Sequence, residues 1–301
     1  MEHTVKPESF SFYVAESTQH ALDILAQEGD DSKILAGGQS LIPLMNFRLA
    51  RPAALVDVCH IPGSERITVD NAGVRFRCSV RHRDALHSNE VNAVAPLVGQ
   101  ALKWVGHEAI RSRGTLCGST AHADPAAELP AVWLALGAEM VISGPHGERH
   151  VPAESFFKSF FTTDLNADEM LTEIRVPPAP DPSLRRTAFQ EIARRHGDFA
   201  IVGAAVVIDL DGSGRIAAAR VSALGAGEVP MRLRSAEAML VGSPLDDQEL
   251  LENVEAEVRK SVQPPGDSHA SARYRKKVTG TLVRRSLAEC AETPSTYEGM
   301  L

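Results

Sequence analysis

Ile34-Leu35-Ala36-Gly37-Gly38-Gln39-Ser40-Leu41-Ile42-Pro43-Leu44-Met45 reads as a short apolar strand, a two-glycine turn and the opening of an apolar helix. Gly37 and Gly38 permit a close backbone approach that side chains would block. Successive N–H groups in such a turn, with a helix over 41–47 behind them, make a pocket for an anion, and Ser40 adds a hydroxyl. Pro43 is tolerated because it falls in the first turn of that helix. Alone, the stretch is a weak sign: it is neither Gly-x-Gly-x-x-Gly nor a Walker loop. Its weight comes from a second loop further on, Gly114-Thr115-Leu116-Cys117-Gly118-Ser119-Thr120. Two glycine loops on one chain predict two halves of one cradle for a diphosphate, more the mark of a cofactor than of a substrate.

Working outward, Ser17 to Gln27 has helical spacing, with Ser17 or Thr18 to cap it and Gly29 to end it. With strands at 34–36 and 54–58, this is a small α/β unit with parallel strands. From about residue 60 the texture changes to a hairpin (67–70 and 74–80), a helix over 93–105, a helix over 130–138, strands at 139–143 and 149–151, and a last strand at 171–176. Pro177, Pro178, Pro180 and Pro182 make a stiff linker. Beyond it, 187–192, 200–210 and 215–224 read as an antiparallel meander, followed by helices over 235–241, 249–261 and 272–288. The expected division is 1–178, with lobes of about 1–58 and 59–178, and 183–292.

The chain has 301 residues, of which 44% are hydrophobic and 23% charged, enough for a real core in two or three units. A net charge of -8 without a basic stripe argues against nucleic acid. No apolar leader opens the sequence, and no run reaches the ~18 apolar residues of a membrane span, so a cytoplasmic location without a span is expected. Cys59, Cys78, Cys117 and Cys290 form no Cys-x-x-Cys pair. Free thiols, no metal ligands and no iron–sulfur signature are therefore expected in this chain.

Several residues near the loops can carry binding chemistry. Thr115, Ser119 and Thr120 offer hydroxyls between and beside Gly114 and Gly118. Asp124 either caps a helix or accepts from a ribityl or ribose hydroxyl. Glu128, one turn later, suits a helix start. His122 reads as a hydrogen-bonding spacer, and Phe199, in His196-Gly197-Asp198-Phe199, as a core aromatic or a ring packed on a planar cofactor. No nucleophile–histidine–acid arrangement and no nucleophile elbow is present, so no catalytic residue is expected.

Taken together, Ala36-Gly-Gly-Gln-Ser-Leu-Ile-Pro-Leu-Met45, Arg48-Leu-Ala-Arg-Pro52, Leu55-Val-Asp57, Ile110-Arg-Ser-Arg-Gly-Thr-Leu-Cys-Gly-Ser119, Ala121-His-Ala-Asp-Pro-Ala-Ala-Glu-Leu-Pro130, Arg195-His-Gly-Asp-Phe-Ala200 and Tyr274-Arg-Lys carry a resemblance over essentially residues 8 to 288. The chain resembles the FAD-binding medium subunit of the molybdenum hydroxylases, of the carbon monoxide dehydrogenase and xanthine dehydrogenase flavin-domain type. The resemblance implies an α+β fold: a two-lobed PCMH-type FAD-binding domain, made of a small α/β lobe and a mixed or antiparallel lobe, then a C-terminal α+β domain with a three-stranded antiparallel sheet and helices. It implies FAD held by Ala36, Gly37, Gly38, Gln39, Ser40 and Leu41 on one side. On the other it implies Ile110, Thr115, Cys117, Gly118, Ser119, His122 and Asp124, with Phe199 at the isoalloxazine, where relatives often carry tyrosine.

Cys117 replaces the usual glycine of a Thr-Ile-Gly-Gly motif, which implies extended backbone there or a slightly opened second loop. Ser119 stands where asparagine is common. The resemblance further implies a small subunit with [2Fe–2S] clusters, a large subunit with molybdenum cytosine dinucleotide, a dimer of heterotrimers, and electrons leaving FAD for an external acceptor. The alternative is a self-contained FAD-dependent oxidase or dehydrogenase of the same fold, which would need a tyrosine, histidine or glutamate base facing the ring.

Overall fold

A computed structural model describes residues 6–292. The first lobe holds β1 (Ser11–Val14), α1 (Thr18–Glu28), β2 (Ser32–Leu35), α2 (Leu41–Asn46) and β3 (Ala54–Asp57). Its strands form a parallel sheet in the order β1-β3-β2. The Ser17 hydroxyl accepts from His20 N at 3.0 Å and caps α1. Gly29, at φ 76°, ends it. Strand β1 was not expected. Four residues of mixed exposure show no alternation, and β1 becomes a strand by pairing with Ala54–Asp57.

The second lobe comprises β4 (Ile67–Asp70), β5 (Gly73–Arg77), α3 (His82–His87), α4 (Asn89–Val94), α5 (Pro96–Leu102), α6 (Glu108–Arg111), α7 (Leu116–His122), α8 (Glu128–Leu136), β6 (Glu139–Gly144), β7 (Gly147–Pro152), α9 (Ala153–Phe156), β8 (Phe157–Ser159), β9 (Thr162–Thr163) and β10 (Met170–Val176). Its five-stranded sheet, β4-β5-β10-β6-β7, is antiparallel throughout. Two expectations are corrected here. The helix over 93–105 is broken at Ala95, because Pro96 takes the N1 position of a new helix. The loop at 114–120 is largely the helix α7.

The last unit contains β11 (Arg185–Ala193), β12 (Ala200–Leu210), β13 (Ile216–Leu224), β14 (Met231–Arg232), α10 (Arg234–Leu240), α11 (Gln248–Ser261) and α12 (Ala272–Glu292). The expected three-stranded meander gains a fourth strand, since Met231 and Arg232 pair with Ala223 and Ser222. Two residues are too few to show in a period-two pattern.

One face of this sheet carries Ala188, Val202, Val206 and Val221 against Leu251, Val254 and Leu282 of α11 and α12. The other face, with Phe189, Ala205 and Val207, belongs to the core of the first two lobes. Every residue of α8 is buried, as befits a central helix that is apolar on all faces after its first residue, Glu128. Polar ties cross the seam: Ser222 Oγ donates to Ala131 O at 2.6 Å, and Gln100 Nε2 to Thr187 O at 3.1 Å.

Candidate functional site

The turn after β2 and the start of α7 meet. A Cβ built on Gly37 would lie 2.3 Å from Arg113 O and 2.6 Å from Gly114 Cα. One built on Gly118 would lie 2.6 Å from Thr115 Oγ1 and 3.4 Å from the Ala36 Cβ. Gly37 is therefore required by backbone-to-backbone approach, and Gly118 by the Thr115 side chain that caps its amide. Gly38 has φ +70°, the left-handed region that favours glycine.

A cavity of about 820 Å³ opens beside this junction, within the usual span of cofactor pockets, ~300–1,000 Å³. Ala36, Gly37, Gly38, Gln39, Ser40 and Leu41 line one side, and Ile110, Thr115, Gly118, Ser119, His122 and Asp124 the other, with Phe199 also lining it. Of the residues expected at the site, Thr120 turns its hydroxyl into the core, between Leu116 O and Trp133 Nε1, and Cys117 also faces elsewhere. Its thiol points at Phe76 O, 3.9 Å away, and with Cys78 it lines a separate cavity of about 70 Å³. Burial pushes this thiol well above its ordinary pKa. The expectation of extended backbone or an opened loop at Cys117 is thereby replaced: the residue sits in the right-handed first turn of α7, where a Cβ costs nothing.

The two loops are not equivalent. Among the described residues, the N–H groups of Gly37, Gly38, Gln39 and Ser40 find no acceptor within the chain. Gln39 Nε2 folds back on Gly37 O at 3.1 Å, and the Ser40 side chain makes no capping bond to α2. The α7 amides are engaged: Leu116 N donates to Val80 O, Gly118 N to Thr115 Oγ1 and Ser119 N to Thr115 O. The first loop thus supplies bare amides to an anion, while the second supplies the hydroxyls of Thr115 and Ser119.

Thr115 is a true N-cap, and its hydroxyl proton remains available to donate toward the cavity. Replacing Thr115 with Val should cost about 1 kcal/mol, and Thr115→Ser should restore it. Denaturant titration of the three proteins checks this.

Asp124 follows Ala123, which closes α7 at φ 52°. Asp124 Oδ1 accepts from Ala126 N at 2.8 Å, while α8 begins at Glu128 with no side-chain cap. So Asp124 shapes an Asx turn rather than capping a helix, and Oδ2 is left for another donor. The His122 ring meets Phe161 at 5.2 Å, and burial lowers its pKa against the pull of Asp124. Phe199 is 67% exposed, so the core-aromatic reading is set aside. Its loop is pinned instead: His196 packs on Trp104 and His107 with centroids 6.0 and 6.3 Å away, and a Cβ on Gly197 would strike the His107 ring at 2.4 Å.

Three parts of the wall escaped the sequence reading. His82 lines the cavity, bonds Thr115 O through Nε2 at 3.0 Å, and leaves Nδ1 buried without a partner. Burial drops its pKa to about 4, so it is neutral at ordinary pH. The segment Phe161–Asn166 closes another side. Arg149 anchors that segment through Asp164 at 2.6 Å and Glu169 at 2.7 Å. In the sequence Glu128 suits only a helix start. It faces the cavity and is buried. Nothing in a lone His, a Phe-Phe pair or one glutamate distinguishes these residues before the fold collects them.

With this geometry in hand, comparison with known proteins is informative. Residues 8–179 match the family model of the FAD binding domain in molybdopterin dehydrogenase, and residues 187–290 that of the CO dehydrogenase flavoprotein C-terminal domain. The chain is similar to the 6-hydroxypseudooxynicotine dehydrogenase complex subunit alpha of Paenarthrobacter nicotinovorans, 41% identical over 95% of both chains. It is similar to the caffeine dehydrogenase subunit beta of a Pseudomonas species, 38% identical over 96% of this chain and 97% of that one. Among solved structures, carbon monoxide dehydrogenase from Hydrogenophaga pseudoflava superposes with a TM-score of 0.90 at 32% identity, covering 94% of this chain and 98% of that one. Quinoline 2-oxidoreductase from Pseudomonas putida gives 0.89 at 33% identity, covering 95% and 98%.

Proposed function

The chain belongs to the FAD-binding medium-subunit family of the molybdenum hydroxylases, and on that premise we propose that its cavity holds FAD and passes electrons from the [2Fe–2S] clusters of a small partner subunit to an external acceptor. Family membership makes it an oxidoreductase subunit of a multi-subunit flavin and molybdopterin enzyme. The large partner would carry molybdenum cytosine dinucleotide and the hydroxylation chemistry, in a dimer of heterotrimers. Among the described residues no helix is long and apolar enough to cross a membrane, and a cytoplasmic complex is the reading we adopt.

One observation carries the assignment. Among the described residues the amides of Gly37–Ser40 find no acceptor, and at Gly37 this run lies against the Arg113–Gly114 backbone at a distance no side chain permits. A doubly charged linker between two planar groups is the ligand such a cradle fits. The bare amides of the first loop would hold the diphosphate, and the Thr115 and Ser119 hydroxyls would donate from the opposite side. Asp124 would accept a ribityl hydroxyl. Leu41 and Ile110 would give apolar walls, and Phe199 would pack at the ring. When bound, the flavin supplies the exchange between one-electron donors and a two-electron acceptor. This chain's residues bind and orient it.

The test is direct. The purified chain should release one FAD on denaturation, and its flavin should be reduced through an iron–sulfur partner, with organic substrate reducing it only in the complete complex. Reduction of the isolated chain by an organic substrate would support the self-contained oxidase instead. Absence of FAD would overturn both readings.

A further inference from the structure

The hairpin of β8 and β9 carries an aromatic ring at a backbone position that resists one. Ser159 and Thr162 pair across a two-residue connection, Phe160-Phe161. Such connections turn through positive φ, which glycine and asparagine supply readily. Here Phe161 stands at φ 51°. A bulky side chain in the left-handed region is strained, because its Cβ crowds the carbonyl oxygen that follows. The surrounding chain holds that strain in place. Thr162 Oγ1 donates to Phe160 O at 3.0 Å across the turn, and Asp164 N to Phe156 O at 2.8 Å at its base. Lys158 Nζ lies 2.8 Å from Asp164 Oδ1, and Arg149 holds the other carboxylate oxygen. A two-stranded ribbon is marginal by itself, so these ties fix the tip.

Core packing does not explain the ring. Phe161 lines the cavity yet is 56% exposed, so burial offsets little of the strain. Its ring meets that of His122, the last residue of α7, with centroids 5.2 Å apart and planes inclined at 46°. His122 lines the cavity as well. The course of α7 locates the pair. A Cβ on Gly118 would lie 3.4 Å from the Ala36 Cβ, where the two loops meet. His122 is four residues on, about 6 Å further along the helix axis. The two rings therefore form an aromatic corner one helical turn beyond the junction of the loops. A ring tethered to a diphosphate held at that junction is within reach of it.

We propose that Phe161, braced by His122, is a ring-binding residue: its open face packs on a planar conjugated ring of the bound dinucleotide, and the strained turn is kept because it presents that face. This rests on the FAD reading above. Strain of this kind collects where a ligand is gripped, and apolar side chains lining a pocket are covered when the ligand enters. No bond is made or broken. The chain supplies a surface whose angle is set before the ligand arrives. FAD has two such rings, isoalloxazine and adenine, and ADP carries only the second.

The test compares the full chain, stripped of flavin, with its Phe161→Gly, Phe161→Ala and Phe161→Tyr variants. Removing the ring should weaken FAD binding about ten-fold, the scale of one aromatic contact. The loss should be equal in the Gly and Ala variants, and Tyr should restore wild-type affinity. Melting should order the same proteins differently. Gly accepts positive φ, so that variant should melt no lower than wild type and above Ala. A ring that served packing alone would give the reverse: lower melting in both variants and unchanged affinity. Titration with ADP then assigns the partner ring. Undiminished ADP affinity in Phe161→Gly places Phe161 at the isoalloxazine, and a loss equal to that for FAD places it at the adenine. Equal FAD affinity in wild type and Phe161→Gly would overturn this role while leaving FAD binding intact. A wild-type chain that takes up no FAD would instead overturn the FAD reading, and this role with it.

Discussion

Gly37→Ala should strip the chain of its flavin. The added methyl would sit 2.3 Å from Arg113 O, 2.6 Å from Gly114 Cα and 2.9 Å from the Arg113 carbonyl carbon. All three are backbone atoms, so no rotamer change relieves the clash. Arg113 O is also held by the Arg81 guanidinium, and Gly114 O by His82 N, which resists retreat of the second loop. Overpacking of this kind costs about 1–3 kcal/mol where side chains can adjust, and here only movement of one loop away from the other will do. That movement separates the Thr115 and Ser119 hydroxyls from the bare amides of residues 37–40. An affinity loss of at least ~100-fold is expected, about 2.7 kcal/mol. Flavin absorbance per chain after gel filtration reads the effect. Gly212→Ala is the control: no atom lies within 4 Å of its Cβ position, so flavin content and melting temperature should match wild type. Full flavin content in Gly37→Ala would refute the cradle.

The glycine loops were legible because glycine and its neighbours announce their geometry locally: an apolar strand, a turn without side chains, and a proline fitted to a first helical turn. Helix α7 was not. Leu116-Cys117-Gly118-Ser119-Thr120-Ala121-His122 contains a glycine and two hydroxyl residues, each a weak helix former. It is helical because Val80 O takes the Leu116 amide and Thr115 takes that of Gly118, and the first of those bonds spans distant sequence. The same holds for β1, made a strand by β3, and for the 161–166 wall, held by Arg149 from β7. The break at Pro96 was legible in principle, since proline at N1 starts helices, and the apolar spacing of Leu97, Ala101 and Trp104 outweighed it.

Asymmetry between the loops was hidden for the same reason. Both stretches offer glycines and hydroxyls in similar order, so residue type alone predicts equal cradles. Which amides remain bare depends on the acceptors the fold supplies: Val80 O takes the Leu116 amide and the loop's own Thr115 that of Gly118, while the first loop meets no acceptor among the described residues. Phe199 illustrates the converse. Its neighbours Ala200 to Ile208 are buried strand, which makes a core ring the natural expectation, yet it stands one residue before β12 on a loop pinned outward by His196 against Trp104 and His107.

Trp133→Ala should be the most destabilising single change near the site. The side chain is fully buried in α8, against Phe76 with centroids 6.0 Å apart. Its Nε1–H donates to Thr120 Oγ1 at 2.8 Å, and the Thr120 hydroxyl donates in turn to Leu116 O at 2.8 Å. This chain of bonds locks α7 onto α8. Truncating the indole leaves a large apolar cavity and costs about 3–5 kcal/mol, comparable to much of the total stability of an ordinary domain. At roughly 2–4 °C per kcal/mol, the melting midpoint should fall by about 10 °C. Trp133→Phe separates the two contributions: most of the ring volume stays and the hydrogen bond goes, for about 1 kcal/mol plus a smaller cavity. Because α7 carries Gly118, Ser119 and His122 into the cavity, the Ala variant should also release flavin at temperatures where wild type retains it, whereas the Phe variant should hold it. Thermal scans followed by both tryptophan and flavin fluorescence test this, and coincident wild-type and Ala transitions would show that the indole does not brace the site.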